Sequence, residues 1–181
     1  MKKILIISAS PRKGGNSDLL CDEFARGASS AGHEVEKIRL AEKKIGFCIG
    51  CYACRKFNRC FQQDDANEVI EKMLSADVIV LATPVYFYSM DAQLKTLIDR
   101  CISRWQDFDR FAGTEFWHII TAADTDRGRM SATLEGLRGF MRDCMKGTVE
   151  RGVIYGTGAL EKGEVRTLPV FREAYEAGRS C

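Results

Sequence analysis

The sequence predicts an α/β domain in which helices cover both faces of a doubly wound, five-stranded parallel sheet. Three observations carry that prediction. Five short apolar runs alternate with five amphipathic helical patterns along the whole chain, with no repeat, low-complexity tract or linker between them. The runs Lys3 to Ser8 and Val78 to Ala82 are apolar almost throughout, as in strands buried on both faces. Each intervening helix must cover a face of the sheet, so neighbouring strands run parallel through right-handed crossovers.

The elements follow in order. After the first strand, a helix from about Asn16 to Ala31 repeats Leu20, Phe24, Gly27, Ala28 and Ala31 at helical spacing, with Asn16 or Ser17 as its cap and Gly32-His33 as its stop. Val35 to Leu40 is a weaker strand, interrupted by Glu36, Lys37 and Arg39, as at a sheet edge. A cysteine-rich loop over 46–63 comes next. Asp64 or Asp65 caps a second helix carrying Ala66, Val69, Ile70, Met73 and Leu74 on one face. Beyond the third strand, Leu94, Leu97, Ile98, Cys101, Ile102 and Trp105 mark a third helix, and Phe116 to Ile120 a fourth strand. Leu134, Leu137, Met141, Cys144 and Met145 mark a fourth helix, Val149 to Tyr155 a fifth strand, and Phe171, Ala174 and Tyr175 a closing helix.

At 181 residues the chain suits a single domain spanning 1–181. Its formal charge of +2 comes from 27 basic and 25 acidic residues scattered along the sequence, which gives no stripe for a phosphate backbone and excludes nucleic acid as an expected partner. The apolar start at Ile4 to Ile7 is too short for a signal peptide and runs straight into Pro11, Arg12 and Lys13. No run approaches the roughly 20 apolar residues of a membrane span. Eight cysteines without a secretion signal suit a reducing, cytoplasmic setting. There, the bunched Cys48, Cys51, Cys54 and Cys60 suggest a metal or redox site, while Cys21, Cys101 and Cys144 read as buried fillers and Cys181 as incidental.

Ligands of such sheets sit beyond the carboxyl ends of the strands, which directs attention to three loops. The first, Ser8 to Ser17, leads into a helix N-terminus whose free N–H groups and dipole favour an anion, with Ser10, Arg12, Asn16 and Ser17 as further donors. It lacks the glycine spacing of dinucleotide and nucleoside-triphosphate loops, and it also reads as an ordinary capped turn. The second, Thr83 to Met90, sets Tyr86, Phe87 and Tyr88 directly after a buried strand, an apolar surface that a flat heteroaromatic ring, a neighbouring helix or a second copy of the chain would cover. The third, Thr121 to Asp126, closes the crevice near a ring edge or substrate. His118 reads as a satisfied structural histidine and His33 as a turn residue without a partner. No nucleophile triad or carboxylate pair stands out, which fits a reaction driven by a cofactor.

The cysteines form a C-x2-C-x2-C-x5-C run within one loop. Such spacing suits an iron–sulfur cluster; zinc, a dithiol that cycles to a disulfide, and free thiols are the alternatives.

Together, Ser10-Pro11-Arg12 with Gly15-Asn16-Ser17, then Pro84-Val85-Tyr86, then Leu94-Lys95 and Asp99-Arg100 resemble the flavodoxin-like NADPH-dependent FMN reductase family. The cysteine run resembles its iron–sulfur flavoprotein branch. The resemblance spans nearly the whole chain. It implies strand order 2-1-3-4-5, FMN as cofactor and NAD(P)H as co-substrate. It also implies a phosphate site on Ser10, Arg12, Asn16 and Ser17 beside Ser8, and a ring site against Pro84, Val85, Tyr86, Phe87 and Tyr88 and near Thr121 and Asp124. Electrons would pass to a quinone, free flavin or other small acceptor, from a homodimer or homotetramer. The alternatives are an electron-transfer protein served by a ferredoxin-like partner through a 4Fe-4S cluster on Cys48, Cys51, Cys54 and Cys60, and a non-catalytic binding module. Relatives often carry a glycine turn after the fourth strand, whereas here no glycine precedes Gly128.

Overall fold

The computed structural model describes residues 1–181. β1 (Lys3–Ser8) pairs in parallel with β2 (Glu34–Arg39) on one side and β3 (Val78–Tyr86) on the other; β4 (Glu115–Ala122) and β5 (Val149–Thr157) extend the sheet beyond β3. The order is therefore 2-1-3-4-5, as the family resemblance implies. β2 has one neighbour and is the edge strand its charged residues announce. A sixth strand of two residues, Ser89–Met90, pairs antiparallel with the end of β3, which runs on to Tyr86 rather than ending at Ala82.

The period-two alternation of the strands divides the core in two. Ile4 and Ile6 face one side with Val78, Val80 and Ile119, covered by α1 (Asn16–Ser30) and α5 (Val170–Arg179). Leu5 and Ile7 face the other with Ile79, Leu81 and Ile120, covered by α2 (Ala66–Leu74), α3 (Ala92–Arg100) and α4 (Ser131–Arg138). α1 and α5 touch backbone to backbone. A Cβ on Gly27 would stand 2.0 Å from the Tyr175 carbonyl oxygen, and one on Gly178 would stand 2.0 Å from that of Phe24. Only glycine allows that approach.

Two helices depart from the expected register. α3 stops at Arg100 and gives way to a 3₁₀ stretch, Cys101–Phe111, kinked at Arg104. The tighter winding leaves Ile102 and Trp105 half exposed, against the expectation that they line the core. α4 continues into a π-helical turn, Gly139–Cys144, whose i→i+5 winding carries Cys144 off the apolar face and into solvent. Cys21 and Cys101 are buried as expected, and burial pushes both thiols up to about 12.

The histidines also correct their sequence readings. His33 is partnered: Nδ1 accepts the Lys2 N–H at 3.1 Å, and Nε2 stands 3.1 Å from the carbonyl oxygen of Cys181, tying the chain's end to the start of β1. His118 is fully buried, yet neither ring nitrogen has a partner. Burial disfavours its charged form and depresses its pKa to about 4, so the folded protein holds it neutral. The unfolded chain takes up this proton as pH falls below the usual histidine value, and the folded chain does not until the lower one. Stability linked to His118 is therefore present at neutral pH and lost on acidification through that window. Urea unfolding should find His118→Leu more stable than the parent, with the advantage larger at about pH 5 than at about pH 8 by roughly 2 kcal/mol. An advantage independent of pH would mean that the ring is not held neutral.

Candidate functional site

The carboxyl ends of β1, β3 and β4 open on a crevice of about 260 Å³. Ser10, Arg12, Asn16 and Ser17 line it from the first loop, Pro84, Val85 and Tyr86 from the second, and Thr121, Ala122 and Ala123 from the third. The sequence reading thus finds three of its walls. The fourth, Ala159 and Leu160 after β5, was missed, although its strand ends on the same edge of the sheet.

The first loop is shaped for an anion. No side chain caps α1, which leaves its first-turn N–H groups free for a ligand. Gly15 donates its N–H to the Arg12 carbonyl at 2.9 Å, and a Cβ there would press the Arg12 oxygen and Ser10 Oγ, each at 3.0 Å. Asp18 fixes the turn from below: its carboxylate accepts the Gly14 N–H at 2.8 Å and the Ser8 hydroxyl at 2.8 Å, with Lys37 at 3.1 Å and Arg39 at 3.3 Å. Burial works against its charge, but the bonds from Gly14, Ser8 and Lys37 prevail and hold its pKa below the usual carboxylate value.

Two predicted phosphate residues have other work. Ser8 is buried within β1 and spends its hydroxyl on Asp18, so it does not reach the crevice. The Asn16 amide donates to the carbonyls of Ala159 at 3.0 Å and Glu161 at 2.9 Å, and its oxygen accepts the N–H groups of Gly163 at 3.0 Å and Val165 at 3.4 Å. All four of its hydrogen-bonding valences hold the fourth wall in place, leaving its backbone N–H for an anion. Thr121 Oγ1 and Ser17 Oγ lie 3.1 Å apart, joining β4 to the start of α1.

In the second loop, Tyr86 faces the crevice while Phe87 and Tyr88 form the tip of the hairpin. Both tip residues have positive φ, 49° and 65°, the requirement of a type I′ turn that Asn-Gly usually meets. Phe87 is 100% exposed, and neither it nor Tyr88 lines the crevice. Below the tip, the Asp91 N–H donates to Thr83 Oγ1 at 3.0 Å, and its carboxyl caps α3 by accepting the Leu94 N–H at 3.1 Å. Burial pushes the Asp91 carboxyl up to about 7 against the pull of its bonds to Leu94 and Thr83. Sequence reasoning passed over Asp91; its only signal was its place as a cap ahead of a helical pattern.

In the third loop, the Asp124 carboxylate turns from the crevice to Arg129 at 3.2 Å and the Asp126 N–H at 2.9 Å. Its carbonyl accepts the Gly158 N–H at 3.0 Å, so it braces the third wall against the fourth.

The cysteine loop forms a second cavity of about 110 Å³, lined by all four predicted cysteines together with Arg100, Ile102 and Ser103. Cys48 and Cys51 are exposed, and Cys54 and Cys60 are half-buried. The four thiols share this cavity without forming a metal-binding group of three or more side chains.

Residues 2–154 match the family described as NADPH-dependent FMN reductase. The chain belongs to that family. An iron-sulfur flavoprotein of Methanocaldococcus jannaschii is 45% identical over 98 residues, covering 54% of this chain and 51% of the relative. Another from Archaeoglobus fulgidus is 44% identical over 132 residues, covering 73% and 65%. The chain spans about half to two thirds of the length of these curated relatives. Among solved structures, an FMN-dependent NADH-azoreductase from Bacillus anthracis in complex with FMN superposes with TM-score 0.77, at 15% identity over 99% of both chains. An NAD(P)H:quinone oxidoreductase from Methanothermobacter marburgensis gives 0.75 at 18% identity over 99% of this chain and 95% of that one. At such identities these neighbours establish the family's fold.

The strained hairpin yields a test. Tyr88→Gly removes a side chain from a left-handed backbone, a relief of up to about 1 kcal/mol after the flexibility glycine adds to the unfolded chain. Thermal melting should rise; a fall would mean that contacts of the Tyr88 ring outweigh the strain.

Proposed function

We propose that the chain binds FMN in the crevice and acts as an NAD(P)H-dependent oxidoreductase that passes electrons to a quinone, free flavin or other small acceptor. The observation that carries this reading is the pairing, in one crevice, of an uncapped helix N-terminus beside Ser10 and Arg12 with an apolar wall at Pro84, Val85 and Tyr86. That combination suits a ligand with a dianionic end and a flat ring. The α1 N–H groups and Arg12 would hold the phosphate, with the Ser10 and Ser17 hydroxyls as donors. Tyr86 and Pro84 would bury a face of the ring, while Thr121 and the alanines beside it leave room at its edge. Bound FMN supplies the hydride and electron chemistry, and the protein supplies position and a partly dry setting. Asn16 and Asp18 would act through the walls they brace.

The four cysteines support a second redox centre, a 4Fe-4S cluster, as the names of the relatives suggest. Their thiols line one cavity and have the donor chemistry of such a cluster. The segment from Lys43 to Gln63 carries Lys43, Lys44, Arg55, Lys56 and Arg59 and no acidic residue, a charge suited to an anionic centre. A ferredoxin-like donor is then the second reading of the electron source. No helix is long and apolar enough to cross a membrane; a cytoplasmic homodimer or homotetramer is part of the proposal.

Two measurements test it. FMN titration should show Arg12→Ala and Ser17→Ala each weakening binding by about 1.5–3 kcal/mol, or roughly tenfold to a hundredfold, through loss of a charge-assisted bond. Unchanged affinity in both would move the phosphate elsewhere. Anaerobic NADPH or NADH should bleach the bound flavin; bleaching by dithionite alone would reject nicotinamide as donor and favour the second reading.

A further inference from the structure

Arg100, the last residue of α3, is 1% exposed, a guanidinium withdrawn from water at the back of the cysteine cavity. Its Nη1 donates to the Gly46 carbonyl at 2.8 Å and to Asp64 Oδ2 at 2.6 Å, and its Nη2 donates to Asp64 Oδ1 at 3.0 Å. The Gly46 N–H donates to the same Asp64 Oδ2 at 2.9 Å. Gly46 and Asp64 flank the loop that carries the four cysteines, so this fork closes the loop at its base. Cys60 is fixed there too, by Asn67, which accepts its N–H at 3.2 Å and donates to its carbonyl at 3.0 Å.

The clasp uses only the two terminal nitrogens. The Nε–H is buried with no partner. A buried charged donor left unpaired is unfavourable, and such orphans mark places where a ligand completes the bonding. Burial works against the charge on Arg100, but Asp64 and, behind it, Cys60 more than offset this and hold its pKa above the ordinary arginine value. Arg100 and Cys60 line the same cavity, and the guanidinium stays protonated at every working pH.

We propose that Arg100 is a positioning residue for the four-cysteine centre, its Nε–H completed by the Cys60 sulfur and its buried charge favouring the reduced, more negative state of a cluster held there. The inference rests on the cluster reading above. Reduction adds one electron and no proton, since the guanidinium has none to accept and does not release one. Hydrogen bonds to cluster sulfurs, net charge and burial are the levers that set such potentials, and Arg100 brings all three to one side of the cavity.

The test uses the full chain prepared without oxygen, assayed for iron, acid-labile sulfide and FMN, and titrated with dithionite for the midpoint potential. Arg100→Lys keeps a cation but removes the fork and its Nε–H. It should retain iron, sulfide and FMN and lower the potential by about tenfold in the one-electron equilibrium, or about 59 mV. Asp64→Asn keeps the guanidinium and removes its counter-charge, so it should raise the potential. Opposite shifts support the proposal, because a clasp with no electrostatic role would move both variants the same way or neither. Unchanged potentials, shifts of one sign, or loss of iron from Arg100→Lys with FMN retained would overturn it. Absence of iron and sulfide from the parent protein itself would overturn the cluster reading, and this inference with it.

Discussion

The crevice depends on one buried carboxylate. Asp18 sits in the first turn of α1, where the helix dipole favours negative charge, and there it accepts bonds from β1 through Ser8 and from the loop through Gly14. Lys37 and Arg39 of β2 bind it from the neighbouring strand. One side chain therefore registers a strand, a turn, a helix and the sheet edge against one another. Its charge also sets a problem, since an anion below the loop would oppose the phosphate proposed to bind above it. The two cations of β2 answer that problem, and they account for the charged residues that make β2 look weak as a strand. Their spacing, two residues apart, puts both on the same side of the edge strand.

The fold was legible because its signals are periodic. The unbroken apolar runs of β1 and β3 report strands buried on both faces, the helical spacing of Leu20, Phe24 and Ala28 reports a helix buried on one, and buried faces determine layers. What sequence periodicity could not report is a change of winding. Ile102, Trp105 and Cys144 follow α-helical spacing on paper, but the chain there winds as 3₁₀ and π turns, so each side chain reaches solvent.

The site was legible at the level of loops and less so at the level of atoms. Ser10, Arg12, Ser17, Pro84, Tyr86 and Thr121 reach the crevice because the topology brings the loops after β1, β3 and β4 to one edge. Ser8 and Asn16 carry the polar groups a phosphate would want and Asp124 a carboxylate expected near the ring, but each is engaged by other parts of the protein. Residue type suggests a ligand contact; only the hydrogen-bond ledger tells a contact from a brace. The wall at Ala159 and Leu160 had no chemical signature at all, since its role is shape, and it becomes visible only through the amide of Asn16 that holds it.

The hairpin after β3 completes this pattern of bracing. Two aromatic residues in left-handed conformation cost roughly 1–2 kcal/mol each, so the turn needs support that its own sequence does not provide. Asp91 gives it from below by closing the hairpin base onto Thr83, and Thr133 of α4 donates to the Tyr88 carbonyl at 3.1 Å from the side. Asp91 in turn is buried enough to have its carboxyl raised to about 7. The folded state therefore favours its neutral form, and its contribution to stability declines as pH rises through that value, the opposite sense to His118. The hairpin is thus held through the Asp91 backbone N–H, while the Asp91 carboxyl caps α3 against its own burial; the first loop is held by the Asp18 carboxylate, whose charge its partners protect. Burial governs the Asp91 carboxyl on one side of the crevice and hydrogen bonds govern the Asp18 carboxylate on the other, so the two move in opposite directions from the usual carboxylate value.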